Sequence, residues 1–296
     1  MDPRPRAYLQ IHTAVLLYGL TGILGDLISI PKPTLVWWRM GLTVLTFLFW
    51  PGVLPDMRRL DKRVMAKMMG VGILVAIHWV TFFVAIALTN ASVTLAMLAS
   101  ATFFTALMEP IIRRRKFRAF ELLLGSAIVP GVALVVGSTD FQIAGILVAL
   151  FSAAVAAIFS ILNKDLVGKY NPLTMTMVEL GSGFLLLSIA APLYYGFTPG
   201  MAFWPVKLDW LYLAILAFAC TSFAYVITLR ALRILPAFSV NLTISLEPVY
   251  TMVIAYFVLE DGNELNLGFY IGAAVILLSV FLHPFLAKAY GKEPES

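Results

Sequence analysis

Ten apolar runs, each near the length a helix needs to cross about 30 Å of hydrocarbon, leave this chain few ways to fold. They lie at 7–28, 34–51, 65–87, 91–112, 119–137, 142–163, 173–195, 208–230, 236–259 and 267–286 of the 296 residues. The chain is 61% hydrophobic and only 12% charged, with a mean hydropathy of +0.92. A soluble domain of this size carries about twice that charged fraction. The expected fold class is therefore an all-α polytopic membrane protein of ten transmembrane helices. No small-residue cleavage site follows the first run, so it reads as a retained helix rather than a signal peptide.

The net charge of +5 does not point to nucleic acid, because no soluble segment is long enough to gather the basic residues on one face. It reads instead as orientation. Of the 21 Lys and Arg, all but Lys32, Lys207 and Arg39 fall in segments that share one side when the N-terminus is cytoplasmic. Positive charge marks the cytoplasmic side, so both termini are expected there. Cys220 is the one cysteine and sits in an apolar run, which excludes a disulfide framework and a thiol metal site.

Within the ninth run, Glu247 lies near the middle with Pro248 directly behind it. A charge at that depth opposes insertion by about 3 kcal/mol or more, and the proline removes a backbone hydrogen bond. Compensation is expected from internal duplication. An offset of 147 aligns Ser92, Val93 and Leu95 with Ser239, Val240 and Leu242, and Gly125 with Gly272; an offset of 139 aligns Asp26 with Asp165 and Pro33 with Pro172. Each half, 1–138 and 139–296, holds an odd number of runs, so the second copy enters the membrane from the opposite side. Two inverted five-helix repeats around a central cavity are expected, with the site between them at the midplane, where Glu247 lies.

The stretch from Ala224 to Asp261, "AYVITLRALRILPAFSVNLTISLEPVYTMVIAYFVLED", resembles the end of an EamA-type repeat of the drug/metabolite transporter superfamily. "HWVTFFVAIALTNASVTLAMLAS" resembles the same segment in the first half, and Pro33 with Arg39 is similar to that family's proline and arginine around span 2. The first copy departs by carrying Ser100-Ala101 where the second has Glu247-Pro248, and by the basic run from Arg113 to Lys116 in place of the closing acid. The resemblance implies a carrier working by alternating access, its cavity lined by spans 1, 3, 4, 6, 8 and 9. By length and by the aromatic and polar residues of spans 3 and 8, the chain is most similar to the bacterial exporters of aromatic and other amino acids. That resemblance implies a bacterial-type cytoplasmic membrane, a small-molecule cargo and no cofactor; nothing in the chain calls for a partner subunit, and a monomer in a lipid bilayer is expected.

Twelve residues are candidates for the cavity wall. Glu247 shares a helical face with Thr243 and Tyr250, and reads either as a binding or titrating carboxylate or as a buried, hydrogen-bonded one. His78 with Trp79 and Phe82 places a polar ring among aromatics, suited to an amphipathic zwitterion, though a packed histidine is the plain alternative. Ser222 and Tyr225 belong to a stripe with Thr221 and Thr228 in span 8, a pattern that also serves helix packing. Met97 and Ser100 in span 4, Asn163 beside Phe159 and Ser160 in span 6, and Tyr18 with Thr21 in span 1 complete the set. Arg39 and Glu179 are the remaining intramembrane charges and read as structural, Arg39 by reaching the outer interface. Glycines 19, 22 and 25, and the Gly268 and Gly272 pair, read as close-packing surfaces.

An enzyme would need a nucleophile with its base, or a metal set, at membrane depth. The chain has no HExxH or GxSxG, and His12, His78 and His283 are far apart. Within carriers, a cavity for anionic nucleotide sugars needs fixed positive charge that only Arg39 supplies, which favours a neutral or zwitterionic cargo. Quaternary ammonium compounds, sugars and drug-like cations remain the alternatives.

Overall fold

The computed structural model describes residues 2–136 and 143–251, with a few further positions between 271 and 286. Among the described residues the chain is helical throughout, without a strand. Helices α1 (Arg4–Leu27), α2 (Lys32–Leu48), α4 (Lys62–Leu88), α7 (Ala119–Val136), α8 (Ile143–Val167) and α9 (Pro172–Phe197) coincide with six of the apolar runs. The fourth run is divided into α5 (Ala91–Leu98) and α6 (Ala101–Arg113), and the eighth into α10 (Asp209–Ala217), a π-helical turn (Phe218–Phe223) and α11 (Ala224–Ile234). The ninth begins as α12 (Ala237–Ile244) and resumes as helix at Glu247. Six stretches are each long and apolar enough to cross a membrane outright: Arg4–Gly25, Lys62–Leu88, Val93–Arg113, Ile143–Val167, Pro172–Phe197 and Asp209–Ile234. The tenth run, with the Gly268 and Gly272 pair and the C-terminus, falls largely outside the described residues.

A short helix that the run count does not contain, α3 (Val53–Arg58), follows α2 after Gly52, whose φ of 87° suits glycine. Its Val53 joins an apolar cluster with Phe47, Met177 and Val226 on one side and its Arg58 is exposed on the other, as in an interfacial turn.

The layout is set by close approach of helices, and glycine permits it. A side chain at Gly72 would run into the Glu179 carbonyl and Ser182, and one at Gly183 would meet the Gly72 carbonyl at 2.9 Å, so α4 and α9 touch backbone to backbone. The glycines of α1 serve three neighbours rather than one: Gly19 faces Thr251, Gly22 faces Ala91 and Gly25 faces Phe83.

Both copies break the equivalent helix. Residues 99–100 interrupt the fourth span and 245–246 the ninth, positions 146 apart and so within one residue of the repeat offset of 147. Only the second break is followed by a proline, so the break does not depend on Pro248. At the first, the Ser100 hydroxyl donates to the Met97 carbonyl at 2.6 Å and competes with the helical ladder. The breaks meet: Ser245 Oγ donates to the Ala99 carbonyl at 3.2 Å and lies 2.7 Å from Thr102 Oγ1, and Asn241 Nδ2 donates to Thr105 Oγ1 at 2.7 Å. Backbone freed in one helix is thus satisfied by the other, the condition for broken helices in a membrane.

Candidate functional site

A cavity enclosing about 920 Å³ between side chains, its mouth included, lies among α1, α2, α4, α5, α8, α11 and α12. Its polar wall is built by three different local devices.

The first is the π turn. One extra residue in the helix leaves carbonyls without an i+4 partner. Thr221 Oγ1 donates to the Leu216 carbonyl at 2.7 Å and Ser222 Oγ to the Ala217 carbonyl at 2.8 Å, each five residues back. From α2, Thr43 Oγ1 reaches the Ala217 carbonyl at 3.2 Å and Arg39 Nη2 reaches the Cys220 carbonyl at 3.3 Å, while Arg39 Nε donates to Thr221 Oγ1. Thr221 and Ser222 therefore face the bulge and α2. Arg39, only 3% exposed, does not extend to the outer interface; it is held in the cavity wall with its guanidinium carbon 4.1 Å from the centre of the Trp79 ring. That is cation–π range.

The second device joins α8, α9 and α11. Glu179, fully buried, accepts from the Tyr225 hydroxyl at 2.6 Å and from Asn163 Nδ2 at 3.2 Å, both on Oε2, and Asn163 Nδ2 also lies 3.2 Å from the Tyr225 oxygen. Among the described residues, Glu179 Oε1 and Asn163 Oδ1 find no hydrogen-bond partner. Glu179 stands behind the wall, and Tyr225 and Asn163 are the faces it presents to the cavity. The third device is on α4, where His78 Nδ1 lies 2.8 Å from Ser152 Oγ, which donates in turn to the His78 carbonyl at 2.9 Å. The imidazole lies tilted against Phe159, with centroids 5.5 Å apart, and lines the same space as Tyr225.

Glu247 completes the wall at the start of the resumed ninth helix. It is 7% exposed and, among the described residues, makes no hydrogen bond or ion pair. A carboxylate and a guanidinium thus line one cavity, the guanidinium anchored and the carboxylate without a partner.

Of the candidates, Tyr18, His78, Trp79, Phe82, Asn163, Tyr225 and Glu247 line this cavity. Tyr18 is tied across to α11 through Thr228 Oγ1 at 2.8 Å. The other five sit elsewhere. Met97 is packed among Ala85, Val93 and Phe238, and Ser100 bonds its own helix. Ser222 serves the π turn, and Thr243 donates back to the Ser239 carbonyl at 2.9 Å. Tyr250 pairs with His12 Nδ1 at 3.1 Å on α1. Helical spacing puts Thr243 and Tyr250 near the face of Glu247, but the break at 245–246 turns Thr243 away from it, while Tyr250, on the same resumed helix as Glu247, is taken up by His12. Arg39 joins the wall although its position near a helix end read as interfacial; its pairing with the family's proline was the signal for it.

Two further buried charges lie at the ends of spans. Glu109 and Glu121, each 2% exposed, are bridged by Arg115 Nη2 at 3.0 and 2.6 Å; Arg113 binds Glu109 at 3.2 Å and Asp165 of α8 at 2.9 Å, and Arg118 binds Glu121 at 3.3 Å. Burial works against the Arg115 charge, but its contacts with Glu121 and Glu109 outweigh that and raise its pKa.

The sequence model of the EamA-like transporter family matches residues 5–137 and again 143–283. The chain belongs to the EamA-like transporter family. The match is double, one copy per half, which accounts for the paired breaks at 99–100 and 245–246. The protein is accordingly a multi-pass membrane transporter of the drug/metabolite type. No curated protein matches the sequence. A solved structure described only as a crystal structure of a protein is similar to this one with a TM-score of 0.75, over 97% of this chain and 99% of its own, at 16% identity. At that identity the likeness carries the fold alone. As an EamA-like transporter, the chain has its cavity where two repeats meet, as inverted-repeat carriers place theirs.

Proposed function

We propose that this transporter is a secondary carrier of small zwitterionic metabolites, with aromatic and other amino acids as the favoured cargo, exported by alternating access. The observation that carries the reading is the placement of Arg39 and Glu247 on one aromatic cavity. The cavity is not free of fixed positive charge; it holds one charge of each sign. An amino acid offers the complement, its carboxylate to Arg39 and its ammonium to Glu247, with the side chain against Trp79, Phe82 and Phe159. Burial makes each charge costly unless it is paired, so cargo bearing both partners gains over cargo bearing one. A quaternary ammonium ion meets the anchored guanidinium unpaired, and a nucleotide sugar meets Glu247.

The inverted repeat of halves 1–138 and 139–296 supports a ten-span carrier, in a bacterial-type cytoplasmic membrane with both termini inside. In that orientation Leu229 and Leu232, close to the basic end of α11, extend the cavity toward the cytoplasm, the side from which an exporter loads. The helix breaks at 99–100 and 245–246, which meet at the repeat axis, supply the points about which the halves rock.

Flux of labelled phenylalanine, tryptophan, threonine, choline and a nucleotide sugar into proteoliposomes, each with and without a pH gradient, tests the proposal. Saturable phenylalanine or tryptophan flux supports it. Flux of choline or the nucleotide sugar alone keeps the carrier and discards the cargo, and non-saturable flux discards the carrier.

A further inference from the structure

A second concavity, separate from the cargo cavity, opens at the basic ends of α1 and α11. It spans about 1250 Å³ with its open mouth included. Arg6 comes from α1, Lys169 from the connection between α8 and α9, and Arg230 with Arg233 from one face of α11, a single turn apart. Among the described residues no acidic side chain lines it, and none of these four cations has a hydrogen bond or ion pair.

The neighbouring basic cluster shows what this chain does with cations it intends to neutralise. Arg113, Arg115 and Arg118 are each paired with Glu109, Glu121 or Asp165. Lys164, next to the cleft, is also used, donating to the Leu232 and Leu235 carbonyls at 2.8 and 2.9 Å at the end of α11. Orientation in a membrane accounts for cations on this side, but not for their convergence on one concave space without a counter-ion among the described residues. Like charges so placed repel one another, and an anion between them removes the repulsion.

We propose that this cleft binds a phosphate-bearing anion, held by Arg6, Lys169, Arg230 and Arg233. Arginine forks suit phosphate oxygens in two-point contacts, and Gln10 and Asn171 at the rim add neutral donors. The phosphate belongs either to an anionic phospholipid headgroup or to a soluble phosphate compound. Because the cleft joins α1 of the first repeat to α11 of the second, its occupant holds the two halves together at this end.

The test uses the purified full-length chain in neutral detergent, with phosphatidylglycerol, phosphatidylcholine and inorganic pyrophosphate as probes. Retained lipid is read by native mass spectrometry and the pyrophosphate response by the thermal midpoint. Preferential retention of phosphatidylglycerol assigns the headgroup, and a midpoint raised by pyrophosphate but not by chloride at equal ionic strength assigns the soluble compound. Arg230→Gln with Arg233→Gln should weaken whichever is bound about tenfold or more, as loss of two charge-assisted contacts predicts, while Arg58→Gln with Arg59→Gln, both exposed at the end of α3, should not. Wild-type protein that neither prefers phosphatidylglycerol nor responds to pyrophosphate overturns the proposal, as does equal weakening by the two double variants. If the Arg230 and Arg233 pair fails to fold, Lys169→Gln takes its place beside the wild-type measurements.

Discussion

Glu247 and Arg39 place an acidic and a basic side chain on one cavity, yet they are held differently, and single substitutions should separate them. Arg39 donates to Thr221 and to the Cys220 carbonyl, so Arg39→Ala leaves a buried carbonyl and hydroxyl without their donor. We expect a loss of about 2–4 kcal/mol in stability together with lost transport, read by thermal unfolding and proteoliposome flux. Glu247 makes no hydrogen bond among the described residues. Glu247→Gln should therefore leave the unfolding midpoint nearly unchanged and lower amino-acid flux by about tenfold or more, the scale of one buried charge contact. Unchanged flux would remove Glu247 from the mechanism. For Tyr225→Phe the expectation is a stability cost of about 1–3 kcal/mol, because Glu179 Oε2 loses its 2.6 Å donor while Oε1 already has none. The depth of Glu247 in its run was legible as a conflict between charge and lipid, whereas the role of Arg39 was not, because it depends on a carbonyl 181 residues away.

At the scale of elements, apolar length and basic connections place the helices, but their interruptions follow from side-chain chemistry. The π turn in the eighth span and the paired breaks in the fourth and ninth are all supported by hydroxyls bonding carbonyls. Serine and threonine are common enough in membrane helices that no single one announces a break. Ser245→Ala removes the bond to the Ala99 carbonyl and the contact with Thr102, and should lower stability by about 1–2 kcal/mol in thermal unfolding. Glycine contacts are sharper. Gly72→Leu would drive a side chain into the Glu179 carbonyl, forcing α4 from α9 at a cost of about 3 kcal/mol or more, seen as loss of monodisperse protein on gel filtration.

Across the whole molecule, the two repeats are fastened at the basic end by the Arg113 pairing with Asp165 and at the central cavity by the Tyr18 bond to Thr228. The proposed topology puts this end in the cytoplasm. A reporter in the connection at 199–206 should be accessible only from outside, and reporters at either terminus only from inside; an external C-terminal reporter would sink the orientation.

By itself the sequence determined that the chain is helical and membrane-embedded, because twenty apolar residues in a row have no other low-energy state in lipid, and that it is a doubled EamA-type chain. It also placed Tyr18, His78, Trp79, Phe82, Asn163, Tyr225 and Glu247 among the candidates, since polar and aromatic groups at depth need a wall to face. Only the tertiary structure decided that Arg39 joins them and that Met97, Ser100, Ser222, Thr243 and Tyr250 do not. The reason is local: the two-residue break turns Thr243 away from the face of Glu247, the π turn takes Ser222, and packing or hydrogen bonds claim Met97, Ser100 and Tyr250. Such local defects are stabilised by partners on other helices, so spacing along the chain does not contain them.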